Sequence, residues 1–226
     1  MRHILTTVLF ISVPLIADYK SQAGQDKFIY ECFFQNKKDG FFLDIGAHDG
    51  MSFSNTYFFE KDLGWTGICF EPLPHLFKKL KECRKCTCIN ACVAREEGMV
   101  TFLHLDSCDE MLSGMCGTYD GRQLQTVMND INELGGECKV LQLPSVNINK
   151  VLKEHQVTHV DFLSLDTEGS ELEILKSIDF TQVTIDVITV ENNFNEPHVQ
   201  EFLEARGYML ITRLHVDDVY IRSDFI

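Results

Sequence analysis

Basic residues are scarce in this chain, and their scarcity limits the partners that it can have. The 226 residues include 20 lysines and arginines against 34 aspartates and glutamates, which gives a formal net charge of -14. A field of this sign repels polyanions. We therefore expect neither nucleic acid nor an anionic membrane as the main partner. One basic run is interpreted as a solvated helix face: Lys78, Lys79, Lys81, Arg84 and Lys85.

After residue 17, the chain has no apolar run long enough to span a membrane. Before that point, Arg2 and His3 precede a short apolar stretch that ends at the small Ala17. The pattern is typical of a secretory signal peptide, with Leu15 larger than the residue preferred near a cleavage site. We expect 1–17 to be a signal peptide or a signal anchor, and the protein to be secretory or secreted. If this segment is instead a buried first element of the fold, the expected location is the cytoplasm.

Paired zinc knuckles are also absent. Nine cysteines occur, and four of them lie together as Cys83-x-x-Cys86-x-Cys88-x-x-x-Cys92. Structural zinc sites usually pair two C-x-x-C knuckles, and this run contains one. If 86–93 is a strand, Cys86, Cys88 and Cys92 share one face, which favours core thiols or disulfides over a metal. The odd cysteine count leaves at least one thiol unpaired in a monomer.

The glycine pattern lacks the G-x-G-x-x-G fingerprint of dinucleotide-binding proteins. An apolar run ends at Asp44 and is followed by a turn with Gly46 and Gly50, and a second run over 66–70 ends at Glu71. Two strands that end in carboxylates, with a glycine turn between them, predict a nucleotide-binding half-unit in which Glu71 accepts ribose hydroxyls. S-adenosylmethionine fits this spacing better than NAD, because its ammonium and sulfonium need carboxylates instead of a pyrophosphate cradle.

Strand-like and helix-like segments alternate from residue 18 to the C-terminus, which predicts one α/β domain over 18–226. The expected fold is a doubly wound, mostly parallel sheet that ends in an antiparallel hairpin. A segment at 106–145 interrupts the alternation and is interpreted as an insertion that forms part of a substrate lid. Predicted helices cover 21–34, 52–61, 122–134, 147–154 and 198–205, and two more are predicted to start at 72–74 and after the turn 167–169. Predicted strands cover 41–45, 66–70, 86–93, 99–105, 160–165, 183–190, 208–214 and 219–222.

Four predicted strands end in or next to acidic residues: Asp44, Glu71, Asp166 and Glu191. Ligands of open α/β sheets bind at the carboxyl ends of the strands, so we expect these four side chains to surround one crevice. A single acid in such a position could instead cap the next helix.

Several blocks of the sequence resemble the FkbM-type methyltransferases, and more closely the branch that includes the insect Star protein. The likeness covers about 21–224 in the family's order. The blocks that carry it are 21–26 (SQAGQD), 42–50 (FLDIGAHDG), 54–56 (SNT), 64–67 (GWTG), 70–72 (FEP), 162–171 (FLSLDTEGSE) and 217–222 (DDVYIR).

The resemblance implies a Rossmann-like, class I methyltransferase that uses S-adenosylmethionine and usually methylates oxygen. It implies that the methionine part of the cofactor is held by Asp44, Gly46, Ala47 and Gly50, the ribose by Glu71, and the adenine near Asn90, Ala91 and Cys92. The acidic signature of Asp166, Glu168 and Glu171 would face the methyl acceptor, with Glu191 and Asn192 on the same side. The chain departs from the family at His48, where Asn is common, and in the unmatched segment 106–145.

Methyl transfer to a hydroxyl needs alignment of the acceptor within roughly 3–3.5 Å of the methyl carbon, and it gains from a base. The candidate bases are His48, Asp166 and Glu168. A Mg²⁺-assisted variant on Asp166, Glu191 and Asn192 is conceivable and not favoured, since the last two could simply cap a helix or bind substrate.

The expected acceptor is a small molecule or a glycan with a hydroxyl, and lipid and protein acceptors stay open. The main alternative is a protein that keeps the methyltransferase fold but acts in binding or trafficking in the secretory pathway. An NAD-dependent oxidoreductase is disfavoured by the missing middle glycine.

Overall fold

The computed structural model describes residues 17–106 and 110–225, so the predicted signal segment lies outside the described residues except for Ala17. Among the described residues, no helix is both long and apolar enough to cross a membrane. The strands are β1 (Phe41–Ile45), β2 (Thr66–Phe70), β3 (Thr87–Ile89), β4 (Cys92–Ala94), β5 (Gly98–Asp106), β6 (Gly114–Met115), β7 (Glu137–Asn147), β8 (His159–Leu165), β9 (Thr184–Glu191), β10 (Tyr208–Leu214) and β11 (Asp217–Arg222).

Helices alternate with these strands along most of the chain, as the sequence predicts. They are α1 (Gln25–Phe33), α2 (Tyr57–Lys61), α3 (Pro74–Cys83), α4 (Gly121–Leu134), α5 (Ile148–Glu154), α6 (Glu171–Ser177) and α7 (Pro197–Glu204), with a 3₁₀ turn at Glu110–Leu112.

The main sheet has seven strands in the order β10-β11-β9-β8-β1-β2-β3. The strands from β9 to β3 in this order are parallel, and the hairpin of β10 and β11 joins β9 antiparallel. Strand β8 is buried from Val160 to Leu165, as expected for a parallel strand with both faces covered. The predicted doubly wound, mostly parallel sheet with a C-terminal antiparallel hairpin is confirmed.

The order of the strands reverses at β1, which lies between β2 and β8. At such a switch point the connections leave in opposite directions and open a crevice outside the carboxyl ends of the strands. The ends of β1, β2 and β8 therefore define the location at which a ligand is expected.

The residues that follow β3 in the chain form a second sheet of four strands, in the order β4-β7-β5-β6. Its centre is the long antiparallel pair of β5 and β7, in register from Gly98 opposite Ser145 to Asp106 opposite Glu137. Strand β7 thus occupies the last part of the predicted insertion at 106–145.

The predicted strand 86–93 is wrong, because the chain leaves the main sheet in its middle. Strand β3 pairs with β2, whereas β4 pairs with β7 in the second sheet. Between them, the side-chain amide of Asn90 donates to the carbonyl oxygens of Glu71 and Pro72 at 2.8 and 2.9 Å and holds the bend.

The three cysteines predicted to share a face are separated by this bend. Cys86 and Cys88 pack in the core cluster of Cys69, and the sulfur atoms of Cys69 and Cys86 are 3.5 Å apart. Cys92 is buried in another cluster, with Leu73 and Leu76 at the start of α3 and with Phe102 and Leu143 of the second sheet. The eight cysteines among the described residues carry free thiols.

The predicted helix at 52–61 begins only at Tyr57, because side chains before it take up the backbone N–H groups. Asp49 accepts from the N–H groups of Met51 and Ser52 at 2.9 and 2.7 Å, and Ser54 accepts from Tyr57 at 3.1 Å. Such local side-chain bonds compete with the helical ladder and favour a turn.

The interpretation of the basic run as a solvated helix face is wrong for Arg84, because the Arg84 side chain is fully buried. The guanidinium donates to Glu60, to the carbonyl oxygen of Gly50 at 3.1 Å and to the hydroxyl of Thr56 at 2.9 Å. It also lies 3.9 Å from Asp44 at the end of β1. A buried guanidinium with this many acceptors ties the turn after β1 to α2 and α3.

We expect Arg84→Met to lower the free energy of unfolding by about 3–5 kcal/mol, because it leaves the buried carboxylates of Glu60 and Asp44 without a counter-charge. Urea unfolding under reducing conditions measures the change. The adjacent Lys85 is exposed, so Lys85→Met is the matched control and is expected to shift the value by less than about 0.5 kcal/mol. Equal unfolding midpoints for both variants would contradict the structural role of Arg84.

Candidate functional site

A cleft opens at the carboxyl ends of β1, β2 and β8 and has a volume of about 990 Å³ out to its solvent-open mouth. The cleft is lined by nine of the residues that the sequence nominates: Asp44, Gly46, Ala47, His48, Glu71, Ala91, Cys92, Asp166 and Glu168.

The floor of the cleft is the glycine turn that follows β1. The N–H groups of Gly46 and Ala47 donate to the carbonyl oxygen of Phe70 at 3.1 and 3.0 Å, which fastens the turn to the end of β2. Gly46 has φ +94°, and a Cβ atom there would lie 1.7 Å from the carbonyl oxygen of Asp166. Only glycine allows this approach of β1 to the end of β8.

Glu71 is buried at the end of β2 and holds both neighbouring turns. One carboxylate oxygen accepts the N–H of His48 at 3.0 Å, and the other accepts that of Leu73 at 2.8 Å. Burial nevertheless raises the pKa of Glu71 to about 8. Each oxygen keeps a further lone pair for a ligand.

Asp44 is buried at the end of β1 and accepts a 2.5 Å hydrogen bond from the hydroxyl of Thr56. Burial raises the pKa of its carboxyl, and Arg84 and Thr56 oppose that rise without cancelling it. A cation that enters the cleft beside Asp44 therefore meets a carboxylate that is only partly compensated.

Asp166, Glu168 and Glu191 place carboxylate oxygens within 4.8 Å of one another on the β8 side of the cleft. Burial among protein atoms, followed by the charges of Asp217 and Glu171, raises the pKa of Asp166 to about 8. Solvent in the open cleft still reaches its side chain and moderates this effect. Burial and the charge of Asp166 also raise the pKa of Glu191.

Glu171 lies behind the loop that follows β8 and does not line the cleft. Its carboxylate accepts from the N–H and the hydroxyl of Thr167, both at 2.8 Å, and from the N–H of Gly169 at 3.0 Å. Glu168, between them, has φ +57°. Glu171 therefore fixes the conformation of the loop that carries Asp166 and Glu168.

Four other nominated residues also lie outside the lining of the cleft. A Cβ atom on Gly50 would meet Leu80 of α3 at 2.6 Å, so this glycine serves the packing of the turn. Asn90 instead holds the bend after β3. Glu191 accepts from the amide of Asn193 at 2.8 Å, and Asn192 is bonded to Asp218 and to both backbone groups of Glu196.

These bonds bear on the Mg²⁺ alternative, for which the sequence suggested Asp166, Glu191 and Asn192. The amide of Asn192 is taken up by Asp218 and by the backbone of Glu196, and Glu168 is the third oxygen donor near the other two. The arrangement differs from the predicted ligand set.

His48 occupies the tip of the glycine turn with φ +50°. Its Nδ1 is buried without a hydrogen-bond partner among the described residues, 3.8 Å from a carboxylate oxygen of Asp49. His48 itself lines the cleft.

Asn55 also lines the cleft, and sequence reasoning assigned it no role. Its Nδ2 donates to the hydroxyl of Ser164 at 3.0 Å, while its buried Oδ1 has no partner among the described residues. Its place in the block 54–56 was the available signal. Met111 and Met115, from the segment of the predicted lid, form the opposite wall.

The family model of the methyltransferase FkbM domain matches residues 44–215, which is most of the chain and includes every side of the cleft. The chain belongs to the FkbM methyltransferase family. The predicted resemblance is thereby confirmed at the level of the family, and S-adenosylmethionine is the cofactor that membership implies. The narrower likeness to the Star branch stays a prediction.

Two solved structures of methyltransferases are similar to this FkbM domain. Methyltransferase FkbM from Methylobacillus flagellatus KT is 12% identical, with a TM-score of 0.50 over 87% of this chain and 50% of that one. Precorrin-6y C5,15-methyltransferase from Geobacter metallireducens GS-15 is 14% identical, with a TM-score of 0.42 over 82% and 78%. The chain spans half of the Methylobacillus protein's length. No curated protein sequence matches significantly.

We expect Gly46→Ala to destabilise the FkbM domain far more than Gly64→Ala, a second glycine at positive φ. Gly64 has φ +72°, and a Cβ atom there would meet no other atom within 4 Å, so its change costs only the left-handed strain of about 1–2 kcal/mol. At Gly46 the clash with Asp166 adds overpacking, for a total of about 3 kcal/mol or more. Urea unfolding compares the two, and an equal loss would disprove the close contact between the turn and β8.

Proposed function

We propose that this chain transfers a methyl group from S-adenosylmethionine to a hydroxyl oxygen of a small molecule or a glycan. The observation that carries the proposal is the set of carboxylates around one cleft at the switch point: the buried Asp44 and Glu71, and Asp166, which is open to the cleft. Arg84 is the neighbouring cation, and it lies under the turn, outside the lining of the cleft. Such a site favours a ligand that brings positive charge.

The lining of the cleft fits S-adenosylmethionine at three places. Asp44 and the amides of the glycine turn suit the methionine part, whose ammonium and sulfonium are cationic. Glu71 keeps lone pairs for the ribose hydroxyls. Leu73 and Phe102, in one apolar cluster with Cys92, offer a surface for the adenine. The unpartnered oxygen of Asn55 can accept from a bound ligand.

When bound, S-adenosylmethionine supplies a methyl group that is already activated by the sulfonium. The protein then has to orient the acceptor, exclude water and take up the hydroxyl proton. Asp166 suits the last task, because its raised pKa of about 8 matches a base that works near neutral pH. His48 and Glu168 are the other candidates, and both line the same cleft.

The N-terminal sequence supports a second candidate function. The signal-like 1–17 favours the secretory pathway, whereas S-adenosylmethionine is made in the cytosol. A chain exported in this way would keep the cleft for binding and act without turnover, in binding or trafficking. Ligand binding without methyl transfer would favour this second function.

We expect the full chain to bind S-adenosylmethionine with an affinity that increases from pH 6 to pH 8. The cationic ligand prefers ionised carboxylates, so below the pKa of about 8 at Glu71 and Asp166 binding must release protons. Each such proton weakens affinity by up to about tenfold per pH unit. Calorimetric titration in buffers with different ionisation enthalpies measures both the affinity and the proton release.

Glu71→Gln is expected to weaken binding and to reduce the proton release, because it removes one titrating group and keeps the shape. The control is Glu154→Gln, a change of the same kind on an exposed part of α5. No binding by a folded wild-type chain would overturn the methyltransferase function and favour the second, non-catalytic one.

We expect Asp166→Asn to lower kcat for an acceptor hydroxyl by about 10²–10⁴, the usual contribution of a general base. Transfer of isotope-labelled methyl from S-adenosylmethionine to a panel of sugars and small hydroxyl compounds identifies the acceptor. Glu173→Gln, on the exposed surface of α6, is the control. An unchanged kcat in Asp166→Asn would exclude that residue as the base, and a label found on nitrogen or sulfur would exclude oxygen transfer.

A further inference from the structure

Three side chains from separate elements meet at the rim of the cleft, away from the carboxylates at the strand ends. His75 comes from the first turn of α3, His104 from β5, and Glu110 from the 3₁₀ turn. The Nε2 atoms of His75 and His104 lie 2.5 and 2.8 Å from the same carboxylate oxygen of Glu110. The two rings are 5.4 Å apart between centroids.

Two imidazole nitrogens and one carboxylate oxygen form a donor set that zinc and similar divalent ions prefer. In a tetrahedral site with metal–ligand distances of about 2.0–2.2 Å, the ligand atoms lie roughly 3.3–3.5 Å apart. The ligand atoms of this group are all within 4.8 Å of one another. Ring and carboxylate movements of less than about 1 Å would therefore open the hydrogen-bonded pairs to the spacing that an ion requires.

The group of His75, His104 and Glu110 differs in its neighbouring charges from two other groups of possible metal ligands among the described residues. In the group of His159, Asp161 and Asp186, lysine and arginine side chains already neutralise both aspartates: Lys37 on Asp161 and Arg222 on Asp186. The group of Asp166, Glu168 and Glu191 consists only of carboxylates, and the first two line the cleft itself. Among the described residues, neither lysine nor arginine lies within ion-pair distance of Glu110, whose ionic partners are the two histidines.

Accessibility also suits an ion. The side chain of His75 is 48% exposed and that of Glu110 is 28% exposed. The side chain of His104, on β5 of the second sheet, is only 12% exposed. Because His75 and Glu110 are accessible to solvent, an ion can reach the group and keep a water ligand, as in zinc sites with three protein ligands.

We propose that His75, His104 and Glu110 bind a zinc-like divalent cation, with water as the fourth ligand. The ion would connect two walls of the cleft. One wall contains Glu110 and Met111 of the 3₁₀ turn, and the other contains Leu73 and Leu76 near the start of α3. The site thus fixes the width of the cleft at its rim and supplies no group to the reacting atoms.

The test is calorimetric titration of the full chain with Zn²⁺, together with visible absorption after addition of Co²⁺, in a reducing agent that does not bind metal. The expected result is one equivalent bound, with a tetrahedral cobalt spectrum free of thiolate charge transfer. His75→Ala and Glu110→Gln should each weaken binding by more than about 100-fold, since loss of an outer-shell partner alone costs about 10–100-fold.

His198→Ala is the matched control, because His198 is an exposed histidine with two carboxylates, Glu196 and Glu201, at 3.6 and 3.8 Å. It should bind Zn²⁺ as the wild type does. His75 is half exposed, so its variant is expected to keep the wild-type unfolding temperature without metal. Absence of binding in the wild type, equal binding in His75→Ala, or a thiolate band in the cobalt spectrum would each overturn the proposal, the last by assigning the ion to cysteines.

Discussion

The buried guanidinium of Arg84 is the interaction on which the site depends. It is the cation that lies under the turn after β1, and it bonds to the carbonyl of Gly50 and to the side chains of Glu60 and Thr56. Through Thr56 it also reaches Asp44, the first carboxylate of the cleft. Because a buried charge of this kind tolerates few other arrangements, it sets where the turn lies before any ligand arrives.

The turn after β1, once held in position, determines how the ends of β2 and β8 come together at the cleft. Its amides are bonded to the end of β2, its Gly46 touches the end of β8, and its His48 N–H is held by Glu71. The floor of the cleft is therefore one connected structure of three strand ends. The opposite wall includes Met111 of the 3₁₀ turn and Met115 of β6, so the segment 106–145 supplies this side of the site.

The sequence predicted the elements whose signals are local and strong. Apolar runs that end in acids identified β1, β2, β8 and β9, and the switch-point rule brought Asp44, Glu71 and Asp166 to one cleft. Strand β7 was not predicted, because most of its residues are exposed. Arg84 looked like its basic neighbours, and only the fold shows that its acceptors come from distant positions. The break within 86–93 likewise depends on a bond from Asn90 to residues about twenty positions earlier.

The crowding of carboxylates at the strand ends implies a trade-off between stability and activity. Burial raises the pKa of Glu71 and Asp166 to about 8, above the values of unfolded carboxyls near 4. Their contribution to stability is complete below the unfolded pKa and is lost as the pH rises through about 8. Without a bound cation, the domain is thus weakest at alkaline pH, where the acids repel one another most. Neutral substitutes at these positions would make a more stable chain with a weaker hold on cations.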